Sequence, residues 1–90
     1  MSDHVTVIPV FDEAATIAGL VERAAAHGTV IVVDDGSADG SAAAAAAAGA
    51  HILRTAGRRG KGAALRLGFA EALSRSAQRV VHCPARKKYH

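Results

Sequence analysis

The feature that most constrains this chain is an apolar run that ends in two carboxylates and a glycine. Residues 30–40 read Val-Ile-Val-Val-Asp-Asp-Gly-Ser-Ala-Asp-Gly. Four consecutive β-branched residues are typical of a strand buried on both faces, as in a parallel sheet. Open α/β sheets bind their ligands at the carboxyl ends of such strands. Asp34 and Asp35 therefore mark either a solvated turn or a binding site, and the presence of two carboxylates favours the site.

Strand-like and helix-like segments alternate along the rest of the chain. Strands are predicted at residues 5–10, 29–34, 51–54 and 79–83, and helices at 13–26, 42–48 and 60–74. Asp12 is expected to cap the first helix, and Ser37 or Asp39 the second. The third helix is expected to bury a face made of Leu65, Phe69, Ala72 and Leu73. The order β-α-β-α-β-α-β predicts a three-layer α/β fold with a parallel sheet.

Composition limits the size of this fold and the partners it can have. Ninety residues are enough for one small domain or for part of a larger one. Much of the apolar fraction of 50% is alanine, which buries little area, so the core is thin for its length. A net charge of +3 is consistent with an anionic ligand but is too small to indicate binding of nucleic acid. Cys83 is the single cysteine, which excludes an internal disulfide and favours a reducing compartment.

The ends of the chain carry no targeting signal that we recognise. The first residues lack a basic-then-apolar signal pattern, and no apolar run reaches membrane-spanning length. We therefore expect a cytoplasmic protein, either free or peripheral to a membrane. Residues 1–83 are expected to form the folded part and residues 84–90 a basic tail. With so little chain after the fourth strand, the sheet is expected to be interrupted there.

Three motifs resemble one enzyme family in their order and spacing. They are Val-Ile-Pro-Val-Phe-Asp-Glu at 7–13, Val-Val-Asp-Asp-Gly-Ser-Ala-Asp-Gly at 32–40, and Gly-Lys-Gly-Ala-Ala-Leu-Arg at 60–66. Together they resemble the inverting family 2 glycosyltransferases of GT-A type. The branch that uses dolichyl or polyprenyl phosphate as acceptor is the most similar. The resemblance implies a partial GT-A, Rossmann-like sheet: the nucleotide-sugar-binding, amino-terminal half of such a domain.

The first motif stands where this family carries Pro-x-Tyr-Asn-Glu, which lines the nucleotide pocket. The resemblance therefore implies nucleotide contacts for Pro9, Phe11 and Glu13, with Asp12 in place of the usual asparagine. Phe11 keeps a stacking surface but lacks the tyrosine hydroxyl. From the residues alone, Phe11 fits the core equally well, and Glu13 fits a helix start, where a carboxylate favours the helix dipole.

The second and third motifs supply the other residues implied in nucleotide binding. Asp35 resembles the acceptor for the imide N–H of the base, and Asp34 resembles a neighbour that shapes the turn. Lys61 resembles a residue near the nucleotide, and its charge can face phosphate at a helix N-terminus. The alternative is a solvated basic loop, which fits Arg58 and Arg59 better than Lys61. Neither a Walker loop nor a Gly-x-Gly-x-x-Gly dinucleotide motif is present.

The resemblance also implies a divalent cation, Mg²⁺ or Mn²⁺, held by an Asp-x-Asp motif after the fourth strand. That motif falls on Pro84-Ala85-Arg86, which contains no carboxylate. Hard cations need oxygen ligands, so metal-assisted departure of the nucleotide diphosphate is expected to fail. His82, Cys83 and His90 do not have zinc-site spacing. No catalytic base is assigned within the chain.

These observations lead to one principal functional hypothesis and two alternatives. We expect a glycosyltransferase that binds a nucleotide-diphosphate sugar for transfer to an acceptor such as a polyprenyl phosphate. The chain by itself is expected to be an inactive fragment. The alternatives are a non-catalytic nucleotide- or phosphate-binding module and a truncated or frameshifted product without function.

Overall fold

A computed structural model describes residues 4–83, which form one parallel sheet with helices between its strands. The elements are β1 (His4–Val10), α1 (Ala14–Ala25), β2 (Thr29–Asp34), α2 (Ser41–Ala47), β3 (His51–Arg54), α3 (Lys61–Ser74) and β4 (Arg79–His82). The strands lie in the order β3-β2-β1-β4 and all pairs are parallel. The predicted α/β alternation is confirmed. Residues 84–90, with the Pro84-Ala85-Arg86 triplet and the predicted basic tail, lie outside the described residues.

The apolar run of β2 occupies the centre of the sheet, between β1 and β3. Residues Val30–Val33 are at most 2% exposed, because helices cover both faces of this strand. The register runs from Val5↔Thr29 to Val10↔Asp34 along β1 and ends at Asp34↔Arg54 on β3. The carboxyl ends of β1, β2 and β3 therefore meet at one edge of the sheet, which we call the carboxyl edge.

Successive residues of the two central strands face opposite layers of the core, as a pleated strand requires. One layer, which includes Ile8 and Val32, packs against α1 and α2. The other, which includes Val7 and Val33, packs against α3. The sheet is thus sandwiched between helices, as the three-layer prediction requires.

The predicted buried face of α3 is confirmed at Ala72, and Leu65 and Phe69 pack half-buried against the core, but the prediction was wrong at Leu73. The buried residues of this helix are Ala64, Gly68 and Ala72, whereas Leu73 is 68% exposed. A Cβ added at Gly68 would lie 2.3 Å from Cγ1 of Val7. The helix therefore approaches the sheet so closely that only small residues fit between them, and larger side chains are displaced from the contact.

The start of α1 differs from the prediction that Asp12 caps it. Glu13 is the N-cap residue and makes no side-chain cap bond, while Asp12 has a left-handed φ of 53°. The amides at the start of the helix donate instead to side chains of the β2–α2 loop and of the first residue of α2. Glu13 N donates to Ser41 Oγ at 2.8 Å, and Ala14 N to Asp39 Oδ2 at 3.1 Å.

The start of α2 also differs from the expected cap at Ser37 or Asp39. Gly40 is the N-cap residue, with a left-handed φ of 84° and no side chain to form a cap. Asp39 still contributes from one position earlier, since its Oδ1 accepts from Ser41 N at 3.1 Å. These contacts, with those to α1, place one carboxylate at the amino ends of two helices.

None of the helices in the part of the chain that the structure describes is long and apolar enough to span a bilayer.

Candidate nucleotide-binding site

Asp34 ends β2 and closes the turn that follows it. Its Oδ1 accepts a hydrogen bond from Ser37 N at 2.9 Å, which closes the turn over residues 34–37. Its Oδ2 lies 3.5 Å from Nη1 of Arg54 at the end of β3, whose side chain is 68% exposed. Asp34 itself is only 2% exposed. Its carboxylate is therefore directed to the turn and to the neighbouring strand.

Asp35 connects the end of β2 to the loop between β3 and α3. Its Oδ1 accepts from Thr55 Oγ1 and from Arg59 N, both at 2.7 Å. Its Oδ2 accepts from Gly60 N, also at 2.7 Å. The backbone N–H of Asp35 donates to Val10 O at 2.9 Å. One residue thus holds the third sequence motif, at Gly60, against the ends of the two central strands.

The charge of Asp35 is stabilised although the residue is buried. Burial by itself raises the pKa of this carboxyl, but the hydrogen bonds from Arg59, Thr55 and Gly60 and the charge of Arg58 together lower the pKa below its ordinary value. The carboxylate is therefore ionised at neutral pH. Each carboxylate oxygen has two acceptor positions. Because a single protein donor occupies Oδ2 among the described residues, this oxygen can accept one further N–H.

Phe11 follows β1 and lies outside both core layers, half-buried at the carboxyl edge. The guanidinium carbon of Arg58 sits over its ring, 3.6 Å from the centroid. The sequence placed Arg58 in a solvated loop, and the residue is indeed exposed, but it has a defined aromatic contact. The sequence pattern could not predict this contact, because Phe11 and Arg58 are far apart along the chain and sequence patterns report only on neighbouring residues.

The loop that carries Arg58 passes directly over the Asp-Asp-Gly turn. A Cβ on Gly36 would lie 3.4 Å from Arg58 N, and Gly36 has a φ of 92°. A side chain at this position would therefore be strained and crowded. The glycine of the second motif allows the β3–α3 loop to approach the end of β2.

Lys61 is the first residue of α3 and is exposed beside the anchored loop. Among residues 4–83 it forms no ion pair with a carboxylate. Gly60, the N-cap residue before it, has a φ of 93° and presents its N–H to Asp35. The lysine charge is therefore available at the start of a 14-residue helix, next to the carboxyl edge.

The other two predicted contacts of the first motif have distinct positions. Pro9 is buried within β1, paired in register with Val33. Glu13 stands at the start of α1, where its Oε2 accepts from Thr16 Oγ1 at 3.3 Å. The helix-start interpretation of Glu13 is therefore satisfied, while a nucleotide contact by either residue remains a prediction.

Asp12 joins the first motif to the second. Its N–H donates to Ser37 Oγ at 2.8 Å, and its Oδ1 accepts from Ala38 N at 2.8 Å. These reciprocal bonds fasten the β1–α1 loop to the β2–α2 loop. The left-handed conformation of Asp12 is tolerated because aspartate is one of the few non-glycine residues that adopts it readily.

No group of three or more His, Cys, Asp or Glu side chains within residues 4–83 is arranged to hold a metal ion. Asp34 and Asp35, the nearest carboxylates to the edge, are engaged in the hydrogen bonds described above. The residues described here therefore do not fit a divalent cation on their own, and the Pro84-Ala85-Arg86 triplet lies outside them.

Comparison with known structures identifies relatives over most of the chain. A mycobacterial protein of known structure superposes with a TM-score of 0.72 and 30% identity over 91% of this chain. Glucosyl-3-phosphoglycerate synthase from Mycobacterium tuberculosis, in complex with Mn²⁺, UDP and glucosyl-3-phosphoglycerate, superposes with a TM-score of 0.75 and 28% identity over 91% of the chain. The same enzyme with Mg²⁺ and UDP gives a TM-score of 0.74 at 28% identity and 91% coverage.

The chain spans about a third of the length of each relative: 30%, 33% and 32% of the three chains in the order given above. A comparison with curated protein sequences gave no match. The relatives are GT-A enzymes, so the sheet is a partial GT-A, Rossmann-like arrangement. The family model described as glycosyl transferase family 2 matches residues 5–80, which include all three motifs. The chain therefore belongs to glycosyl transferase family 2.

Proposed function

We propose that the carboxyl edge binds the nucleotide of a nucleotide-diphosphate sugar, and that the chain provides the donor-binding half of a glycosyl transfer. The observation that carries this proposal is the buried, ionised Asp35. By accepting from the amides of Arg59 and Gly60, it brings the basic loop next to Phe11 and the end of β2. Membership of the family and the UDP in two similar structures support the same conclusion.

The chemistry of this edge matches the parts of a nucleotide diphosphate. Asp35 Oδ2 retains an acceptor position suited to the ring N–H of a base. Arg58, whose charge acts on Asp35, lies over the ring of Phe11. Lys61 adds an available positive charge at a helix N-terminus, where a phosphate is stabilised by charge and by the helix dipole. Pro9 and Glu13 are proposed to border the same recess.

The acceptor is proposed to carry a phosphate. The family branch that the motifs resemble uses polyprenyl phosphate, and the similar structures contain phosphoglyceric acid or its glucosylated form. Both are anions, which suits the net charge of +3. Mn²⁺ or Mg²⁺ accompanies UDP in those structures. The described residues do not fit a cation on their own.

Calorimetric titration of UDP, UDP-glucose and GDP-mannose into the 90-residue chain tests donor binding. We expect at least one nucleotide to bind, and Asp35→Asn to weaken it about tenfold or more, because a charge-assisted hydrogen bond contributes about 1.5–3 kcal/mol. Glu22→Gln removes an exposed carboxylate on α1 and is the matched control. Absence of nucleotide binding, or equal binding by Asp35→Asn, contradicts the proposal.

Lys61→Gln tests the phosphate contact separately. We expect it to weaken nucleotide diphosphates more than nucleosides, because only the former carry the charge that the lysine attracts. Arg79→Gln is the control, since Arg79 is exposed at the opposite end of the sheet, at the start of β4, in register with His4 of β1. Equal effects of the two substitutions would mean that net charge, and not the position of Lys61, determines binding.

Transfer and binding can be separated with labelled donors. We propose that the chain alone binds the donor without transferring its sugar, because Pro84-Ala85-Arg86 offers no carboxylate for a cation. Incubation with labelled UDP-glucose, Mg²⁺ or Mn²⁺ and either 3-phosphoglycerate or a polyprenyl phosphate should give no product. Metal-dependent product would refute this part of the proposal while leaving donor binding intact.

A further inference from the structure

Arg58 covers the aromatic surface to which the family resemblance assigns the base. Its guanidinium carbon is 3.6 Å from the centroid of the Phe11 ring. Carbon atoms in contact are optimally separated by about 3.5–4.0 Å, so no space remains between the ring and the guanidinium for a base. Either Arg58 moves away when a nucleotide binds, or the base lies on the outer face of the guanidinium.

The backbone on both sides of Arg58 is held in place. The next two residues, Arg59 and Gly60, donate their amides to Asp35 at 2.7 Å. On the other side, Arg58 N would lie only 3.4 Å from a Cβ added at Gly36, so the backbone of Arg58 runs close to the turn. The side chain therefore starts from a fixed point, although it is exposed as a whole.

We propose that Arg58 binds the base of the nucleotide, which stacks on the guanidinium while the guanidinium stacks on Phe11. This inference rests on the proposed function, and it assigns to Arg58 the contact with the base in the nucleotide-binding site. Arg58 forms no salt bridge among residues 4–83. Its side chain is exposed, so a base can stack on the side of the guanidinium away from Phe11 without breaking the contact with the ring.

The chemistry of arginine fits this role better than that of lysine. A guanidinium is planar and weakly hydrated, and it stacks on aromatic faces, whereas an ammonium is a compact and strongly hydrated charge. Bases stack on such surfaces in single-stranded nucleic acid complexes. Arg58→Lys therefore keeps the charge and removes the stacking surface. Arg79 is the matched control, because it is an exposed arginine at the opposite end of the sheet, away from the carboxyl edge.

Titration of UDP, GDP and inorganic pyrophosphate into the 90-residue chain and its Arg58→Lys, Arg58→Ala and Arg79→Lys variants tests the proposal. For Arg58→Lys we expect about tenfold weaker binding of the nucleotide that the unsubstituted chain prefers, equivalent to about 1.4 kcal/mol. Binding of pyrophosphate should change less than twofold, because the charge is retained. Arg79→Lys should change the affinity for neither ligand by more than about twofold.

Three results would overturn the inference while donor binding stands. Unchanged nucleotide affinity in Arg58→Lys would exclude stacking on the guanidinium. Tighter binding in Arg58→Ala would mean that the side chain blocks the Phe11 ring. Equal losses for the nucleotide and for pyrophosphate would make Arg58 a phosphate ligand. If the unsubstituted chain binds neither UDP nor GDP, the proposed function fails and this inference fails with it.

Discussion

Substitution of Gly68 by alanine tests how closely α3 approaches the sheet. The added Cβ would lie 2.3 Å from Cγ1 of Val7 and 3.1 Å from Cγ2 of Val33. Both neighbours are buried β-branched residues of the central strands, and such side chains have few alternative rotamers. Overpacking of this kind costs about 1–3 kcal/mol. An approach as short as 2.3 Å belongs in the upper half of that range, about 2–3 kcal/mol. Alanine regains about 1 kcal/mol of helix propensity over glycine, so we expect a net destabilisation of about 1–2 kcal/mol.

Gly19→Ala is the matched control, since it makes the same chemical change within α1. There the added Cβ would meet only the end of the Arg23 side chain, Nη1, at 3.5 Å. Without overpacking, the gain in helix propensity should remain, and the variant should be more stable by about 0.5–1 kcal/mol. The two glycine-to-alanine variants should therefore shift the free energy of unfolding in opposite directions.

Thermal and urea unfolding, followed by circular dichroism at the helix signal, measure both variants. For a domain of this size, about 1 kcal/mol corresponds to roughly 4–8 °C in Tm. In the double variant Val7→Ala/Gly68→Ala, the clash is removed, so the loss should be smaller than the sum of the two single losses. If Gly68→Ala is as stable as the unsubstituted chain, or additive with Val7→Ala, the close packing of α3 on β1 is refuted.

Two further predictions concern the buried polar groups. Because the folded pKa of Asp35 lies below its ordinary value of 3.8, its contribution to stability is full above that value and is lost as the pH falls through the lower, folded pKa. Urea unfolding should therefore show that Asp35→Asn lowers the free energy of unfolding by about 2 kcal/mol at pH 7. This difference from the unsubstituted chain should become smaller below about pH 4. If the difference in the free energy of unfolding is the same at pH 3 and pH 7, the charge of Asp35 does not contribute to stability. Ser41→Ala removes the acceptor of Glu13 N from a fully buried position and should cost about 1–3 kcal/mol. Ser74→Ala, which removes an exposed hydroxyl bonded to Glu71 O, should change stability by less than about 0.5 kcal/mol, and equal losses would contradict the role assigned to Ser41.

Much of the fold follows from patterns within a few residues of one another. The apolar run of β2 predicts a strand covered on both faces, and residues Val30–Val33 are at most 2% exposed. The alternation of strands and helices predicts the parallel sheet that the structure has. The position of Asp34 and Asp35 at the end of a buried strand predicts that they lie at the carboxyl edge. Each of these inferences depends on side-chain period or backbone preference, which act locally.

The partners within the site depend on contacts between distant parts of the chain. Asp35 is bonded to Thr55, Arg59 and Gly60, which are 20, 24 and 25 residues away. Arg58 reaches Phe11, and Asp39 and Ser41 satisfy the start of α1 in place of Asp12. Strand register and the distance between helix and sheet bring these groups together, and no local pattern encodes either. The sequence indicated that α3 has an apolar face. It did not indicate that the helix packs so closely on Val7 that alanine and glycine form the contact, because the distance between helix and sheet is a property of the tertiary structure.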